Sequence, residues 1–124
     1  MSSMITRLAL SSEPGWGTAF RINGAVQVYQ QSLFWLLCKG MPYKKADLEL
    51  DYFIGSDVIS CQFSTLALTR LLDLMQVNYF VDDAQIRWLL PHNVSIIFYA
   101  QWKNRVVSEI TPELSHTSGE FCFS

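Results

Sequence analysis

Between Leu48 and Phe63, apolar and polar residues alternate on both sides of a Gly-Ser pair. Leu48, Leu50 and Tyr52 stand on one side, Ile59, Cys61 and Phe63 on the other, with Glu49, Asp51, Ser60 and Gln62 interleaved. A period of two marks a strand with one buried face. A Gly55-Ser56 loop suits a type II′ turn, because glycine takes the φ > 0 position that the strand twist demands. It sets Leu48 opposite Phe63, Leu50 opposite Cys61 and Tyr52 opposite Ile59, while Glu49 meets Gln62 and Asp51 meets Ser60. One face is then apolar on both strands and the other polar, and a slip of one residue would destroy this. The pattern predicts a hairpin over 48–63 at the centre of a sheet.

Helical spacing flanks this hairpin. Val26, Tyr29, Leu33, Leu36 and Leu37 predict a helix from about Gln30 to Lys39, with Gly40 as its C′ residue and Pro42 as its stop. Phe34 and Trp35 widen its apolar surface, which fits a largely buried helix or a contact between two copies of the chain. Ser64 or Thr65 can cap a second helix, Leu66 to Gln76, whose Leu68, Leu71, Leu72 and Met75 would lie on the hairpin's apolar face. Asp82 or Asp83 predicts a capped third helix, Ala84 to Leu90, with Ile86, Leu89 and Leu90 inward and Pro91 at its end.

The remaining segments predict strands at Met4 to Leu10, Thr18 to Ile22 and Asn78 to Val81, with a Pro-Gly loop at Ser11 to Gly17. Asn23-Gly24 allows two readings: a hairpin turn with Ala25 to Tyr29 as the returning strand, or a helix capped by Asn23. A further hairpin, Val94 to Trp102 and Val106 to Ile110, would carry Trp102 at its tip, and a helix from Ala100 to Ile110 stays open as the alternative. Glu120 to Phe123 is a candidate last strand. The whole predicts a single α+β domain over 1–124: a mostly antiparallel sheet with two or three helices packed on one face.

Composition changes this picture in one respect. The chain is 50% hydrophobic but only 16% charged, against about 25% charged in average soluble proteins. So little charge covers the surface poorly, and a partner or a second copy is expected to cover some of the apolar remainder. No apolar run reaches the ~18 residues of a membrane span, and the N-terminus lacks the basic and apolar regions of a secretory signal. A net charge of −2 and a pI near 5.5 argue against direct nucleic-acid binding. Cys38, Cys61 and Cys122 are odd in number without CxxC spacing, which fits reduced thiols and a cytoplasmic location.

Candidate chemistry is sparse. His92 and His116 have no carboxylate or thiol beside them in sequence, and lone loop histidines more often sit in solvent than catalyse. Cys61 falls on the apolar hairpin face and Cys38 at the end of the apolar helix. Asp82-Asp83 is explained by capping better than by metal, and no Walker, GxGxxG, GxSxG or HExxH motif occurs. One cluster stands out. Asp47, Glu49 and Asp51 share the outward face of the first hairpin strand, with Phe53 beyond them and Asp57 after the turn. No Lys or Arg occurs between Lys45 and Arg70. This strip fits a surface that meets a basic patch on another protein, with Phe53 as anchor and Trp102 as a second contact. It equally fits a solvated face that discourages aggregation.

The expectation is a non-enzymatic protein-binding module, an inhibitor of the immunity-protein or phage-encoded blocker type. It would need no cofactor and no metal. The alternatives are a dimeric chaperone or adaptor held through Leu33 to Leu37, a subunit of a larger assembly, or a small hydrolase or nuclease built on His92.

Overall fold

The computed structural model describes residues 3–110. Among them run helix α1 (Met4–Ser11), strands β1 (Trp16–Ile22) and β2 (Ala25–Tyr29), helix α2 (Gln30–Cys38), a 3-10 turn (Lys45–Asp47), strands β3 (Glu49–Phe53) and β4 (Ser56–Ser64), helix α3 (Thr65–Leu74), strands β5 (Tyr79–Val81) and β6 (Gln85–Leu89), and helix α4 (Ile96–Ile110). The strands form one six-stranded sheet in the order β3-β4-β2-β1-β6-β5, and every pairing is antiparallel. The fold is α+β, as expected, with two differences. The hairpin of β3 and β4 lies at one edge, and the centre belongs to β1 and β2. The helices also occupy both faces rather than one.

Cross-strand partners define those faces. Ala19, Val28, Cys61 and Ile86 stand side by side through successive pairings, and this face packs Leu33 and Leu36 of α2, Leu68 and Leu72 of α3, and Trp102 and Val106 of α4 into the main core. On the opposite face Phe20, Tyr29 and Val58 form a smaller cluster covered by Met4, Leu8 and Leu10 of α1.

Two tight turns use left-handed backbone at both central residues. Asn23 and Gly24 (φ 47° and 82°) close β1 onto β2, so Asn-Gly acts as the hairpin turn it resembles and Ala25 to Tyr29 is strand. In the β3–β4 hairpin the turn is Ile54-Gly55 (φ 46° and 76°), not Gly55-Ser56. Glycine sits second, as a type I′ turn prefers, and the register moves by two residues: Leu50 faces Ile59, Asp51 faces Val58 and Tyr52 faces Asp57. A shift of two leaves every side chain on its expected face.

Three expected elements change type. Met4 to Leu10 is helix: Met4 and Leu8 are one turn apart toward the sheet, and the Ser3 hydroxyl caps the first turn by accepting from Thr6 N at 3.2 Å. Ala84 to Leu90 contains strand β6, in which Ile86 and Trp88 are buried while Gln85, Arg87 and Leu89 are not. Asp82 acts there as expected of a cap, but on a hairpin turn, since its Oδ1 accepts from Ala84 N and Gln85 N. Residues 96–110 are one helix, so the hairpin of 94–102 with 106–110 does not form. Tyr99, Trp102, Val106 and Ile110 lie at helical spacing along its inner face. The cap expected of Ser64 on α3 is present, with Ala67 N donating at 3.0 Å. The candidate strand at Glu120 to Phe123 lies outside the described residues.

The chain leaves the sheet abruptly after β2. Gln30 adopts φ 51°, and α2 starts at once over the main core. Two neighbours then lose the strand that would have continued beside them. The Gln30 side chain replaces it on β4, where Oε1 accepts from Ile59 N at 2.9 Å and Nε2 donates to Asp57 O at 3.1 Å. The Ser32 hydroxyl replaces it on β1, accepting from Thr18 N at 3.0 Å and donating to Ser11 O at 2.7 Å. A further constraint lies in Gly17, whose missing side chain makes room for Trp88; a Cβ there would overlap the indole.

Both features predict measurable losses. Gln30→Leu leaves the buried Ile59 N–H without an acceptor and should cost about 2 kcal/mol in urea unfolding, whereas an unchanged midpoint would show that the side-chain amide does not complete the ladder. Gly17→Ala should cost about 2 kcal/mol or more through overpacking against Trp88, and a joint Gly17→Ala/Trp88→Leu variant should recover part of that difference.

Candidate functional site

The acidic strip survives in part. Glu49 and Asp51 are exposed on β3 and share the face that carries α1. Asp47 belongs to the 3-10 turn ahead of the strand. Asp57 pairs with Tyr52 and so belongs to the opposite face. Phe53 is not an exposed anchor; it packs half-buried against the Phe20, Tyr29 and Val58 cluster under α1. The exposed apolar residues near this hairpin are Tyr52 and Ile54. Trp102 leaves the contact list: it lies in α4, only 6% exposed, with its ring 5.3 Å from that of Phe34.

The apolar width of α2 is used inside the chain. Leu33, Trp35 and Leu36 are buried, and Phe34 meets Tyr99 and Trp102 of α4. The segment Leu33 to Leu37, expected as a contact between copies, therefore offers only half-buried Leu37 and the edge of Phe34 to a second chain.

Helix α1 divides its face of the sheet into two open strips. Beyond β4 lie Glu49 and Asp51. On the other side, β1, β6 and β5 present Trp16, Leu89, Arg87 and Phe80. Trp16 pairs with Leu89 across β1 and β6, and Phe80 with Arg87 across β5 and β6. The rings of Trp16 and Phe80 lie 5.9 Å apart, and the Arg87 guanidinium sits 4.6 Å from the Trp16 ring centroid. That guanidinium is fixed on three sides: Nε donates to Thr18 Oγ1 at 3.2 Å, Nη2 meets Glu13 at 2.7 Å, and the indole lies against it. Phe80 remains 59% exposed, so this is an apolar patch around a neutralised ion pair.

The patch adjoins an open edge. Asp82 N donates to Gln85 O and Leu89 N to Asn78 O; by antiparallel alternation the backbone groups of Tyr79 and Val81 then point away from β6. It also adjoins a cleft of about 220 Å³ between the α1–β1 loop and the segment joining β6 to α4. Ser11, Glu13, Trp16, Gln31, Leu90 and Val94 are among its lining residues, and Leu90 N ties its two walls by donating to Gly15 O at 3.0 Å. Ser11 is 1% exposed, and its Oγ has no hydrogen-bond partner.

Other candidate chemistry stays apart. His92 is exposed in the loop after β6, with no hydrogen bond or ion pair among the described residues. Cys61 is buried, and burial pushes its thiol up to about 11, so it stays protonated and unreactive. Burial also raises the thiol of exposed Cys38, against a smaller opposing pull from Lys39. Among the described residues no group of three His, Cys, Asp or Glu could hold a metal, and no helix is long and apolar enough to cross a membrane. His116 and Cys122 lie outside the described residues.

The sequence placed Trp16 within the Ser11 to Gly17 loop and gave no sign that Phe80, Arg87 and Leu89 stand beside it. Their common face follows from β6 being a strand, and the capped-helix expectation hid it. No protein-family model, curated protein or solved structure matches this chain.

The turn that holds Phe80 and Arg87 together carries a pH signature. Two backbone N–H groups, from Ala84 and Gln85, lower the Asp82 carboxyl below its ordinary value of 3.8. A carboxyl lowered by folding stabilises the fold above its unfolded pKa, and that contribution disappears as pH falls through the folded one. An Asp82→Ala variant should be less stable than wild type at neutral pH, with the gap closing below about pH 4. A gap independent of pH would sever the carboxylate from the turn.

Proposed function

We propose that this chain is a cytoplasmic, non-enzymatic protein-binding module that acts by occlusion, as immunity proteins and phage-encoded blockers do. The observation that carries this reading is the patch of exposed Phe80 and Leu89 with half-buried Trp16 around the Arg87–Glu13 pair. Trp and Arg are the residue types most enriched at interface hot spots. Here both sit on adjacent strands, with the guanidinium already fixed, so little side-chain order remains to be lost on binding.

Charge adds direction. Glu49 and Asp51 lie on the same face, four strand positions from β6, or roughly 19 Å at ~4.8 Å per strand. A standard interface buries about 800 Å² on each partner, a patch roughly 30 Å across. One partner lying over α1 can therefore reach both strips, with its apolar centre on Trp16 and Phe80 and a basic rim toward Glu49 and Asp51. Carboxylates at such a rim speed encounter more than they tighten the complex.

The test is capture from source-cell lysate with wild type, Phe80→Lys and Glu49→Lys/Asp51→Lys, all first checked for folding by circular dichroism. A protein that wild type retains, that Phe80→Lys loses and that the double variant holds with slower association supports the reading. Retention of the same protein by all three would remove this face from the contact. If His92→Ala abolished a hydrolytic activity while leaving the fold intact, the hydrolase alternative would replace it.

A further inference from the structure

We propose that the cleft between the α1–β1 loop and the β6–α4 segment binds one uncharged, ring-bearing amide about the size of a single amino acid. Four observations lead there. At about 220 Å³ the cleft is smaller than the ~300–1,000 Å³ of drug-sized sites, which sets the size. Leu90, Val94, Ile96 and Trp16 among its lining residues favour an apolar, flat body. The one carboxylate in its wall, Glu13, is already paired with Arg87 at 2.7 Å, so the cleft offers no free charge to select an ion. The fourth observation points to a polar group on the ligand.

Ser11 is almost completely buried, yet its hydroxyl has no partner, while its own carbonyl and the hydroxyls of Ser32 and Thr18 are engaged. Its carbonyl accepts from Ser32 Oγ, Ser32 Oγ accepts from Thr18 N, and Thr18 Oγ1 donates to Leu10 O. A buried hydroxyl left unpaired costs free energy. A ligand that can both give and take a hydrogen bond would remove that cost. An amide does both, and the Gln31 side chain, also lining the cleft, provides a second such group. Trp16 and Glu13 belong both to the cleft and to the neighbouring patch, but occupation of the cleft requires no protein over that patch.

The same chemistry has two sources, a free small amide or one residue of a peptide chain. They are separated by titrating benzamide and N-acetyl-L-phenylalaninamide into 15N-labelled protein and following amide shifts. Binding by either or both, with shifts confined to residues 11–16, 31–32 and 90–96, supports the site. Benzamide alone indicates a free ligand, and the capped residue alone a peptide. The dissociation constant should be on the order of 1 mM for so small a ligand. Ser11→Ala removes an unpartnered hydroxyl, so it should fold as well as wild type and bind about fivefold more weakly. The proposal is overturned if neither probe shifts these residues, or if Ser11→Ala binds as tightly as wild type.

Discussion

At the end of β2 the side chains of Gln30 and Ser32 do what a strand would otherwise do. A sheet strand that stops early exposes unpaired donors and acceptors on both neighbours, and inside a core these are costly. Here the Gln30 amide has the donor and acceptor of a peptide group, and it supplies both to β4. Ser32, two residues on, closes the gap on β1 and also binds the carbonyl of Ser11. The chain can therefore swing into α2 with no intervening loop. Because Ser32 also holds the C-terminal end of α1, the same event fastens a helix on each face of the sheet, and the cleft by Ser11 forms beside that joint.

Much of the sheet was legible because alternation is a local signal. It was enough for Thr18 to Ile22 in β1 and for Leu48 to Phe63 in the edge hairpin, whereas Asn23-Gly24 left Ala25 to Tyr29 open between strand and helix until its pairing with β4 decided it. The error in that hairpin is instructive. Gly55 can stand first in a II′ turn or second in a I′ turn, and the two choices differ by two residues in register. Side-chain parity is identical in both, so the test that excludes a one-residue slip cannot separate them. What separates them is Ile54 accepting a left-handed backbone, which its β-branched side chain disfavours and only the surrounding pairing can impose.

The exchanged elements share a different cause. Asp82 binds two backbone N–H groups ahead of it, which is what an N-cap does and equally what an aspartate does in a turn. The residues that follow are too few for their period to decide between the two. In α4 the inner positions Tyr99, Trp102, Val106 and Ile110 keep helical spacing, but exposed Ile96, Ile97 and Phe98 blur it at the N-terminal end, and Lys103-Asn104-Arg105 looks like a loop. In α1 Met4, Leu8 and Leu10 mark the buried side, too short a pattern to outweigh loose alternation. The patch beside α1 went unseen for the same reason: Phe80, Arg87 and Leu89 share a face only if β6 is a strand.

The low charge content can now be located on the surface. The two edges of the sheet are protected differently: β3 by Glu49 and Asp51, β5 by being only three residues long, both ordinary ways of preventing strands from different molecules from pairing. Exposed apolar side chains stand instead in several places: Phe80 and Leu89 with half-buried Trp16 beside α1, Tyr52 and Ile54 at the β3–β4 turn, Leu66 and Leu74 on α3, and Ile96, Ile97 and Phe98 at the start of α4. Association along an edge would need the backbone of β5 alone, three residues and two outward-pointing pairs of groups. Association across the face engages rigid aromatic side chains and a fixed guanidinium, which bury more apolar area for less lost freedom. The fold thus discourages the contact that strands make by default and leaves exposed the one that depends on side-chain identity, the kind that distinguishes one partner from another.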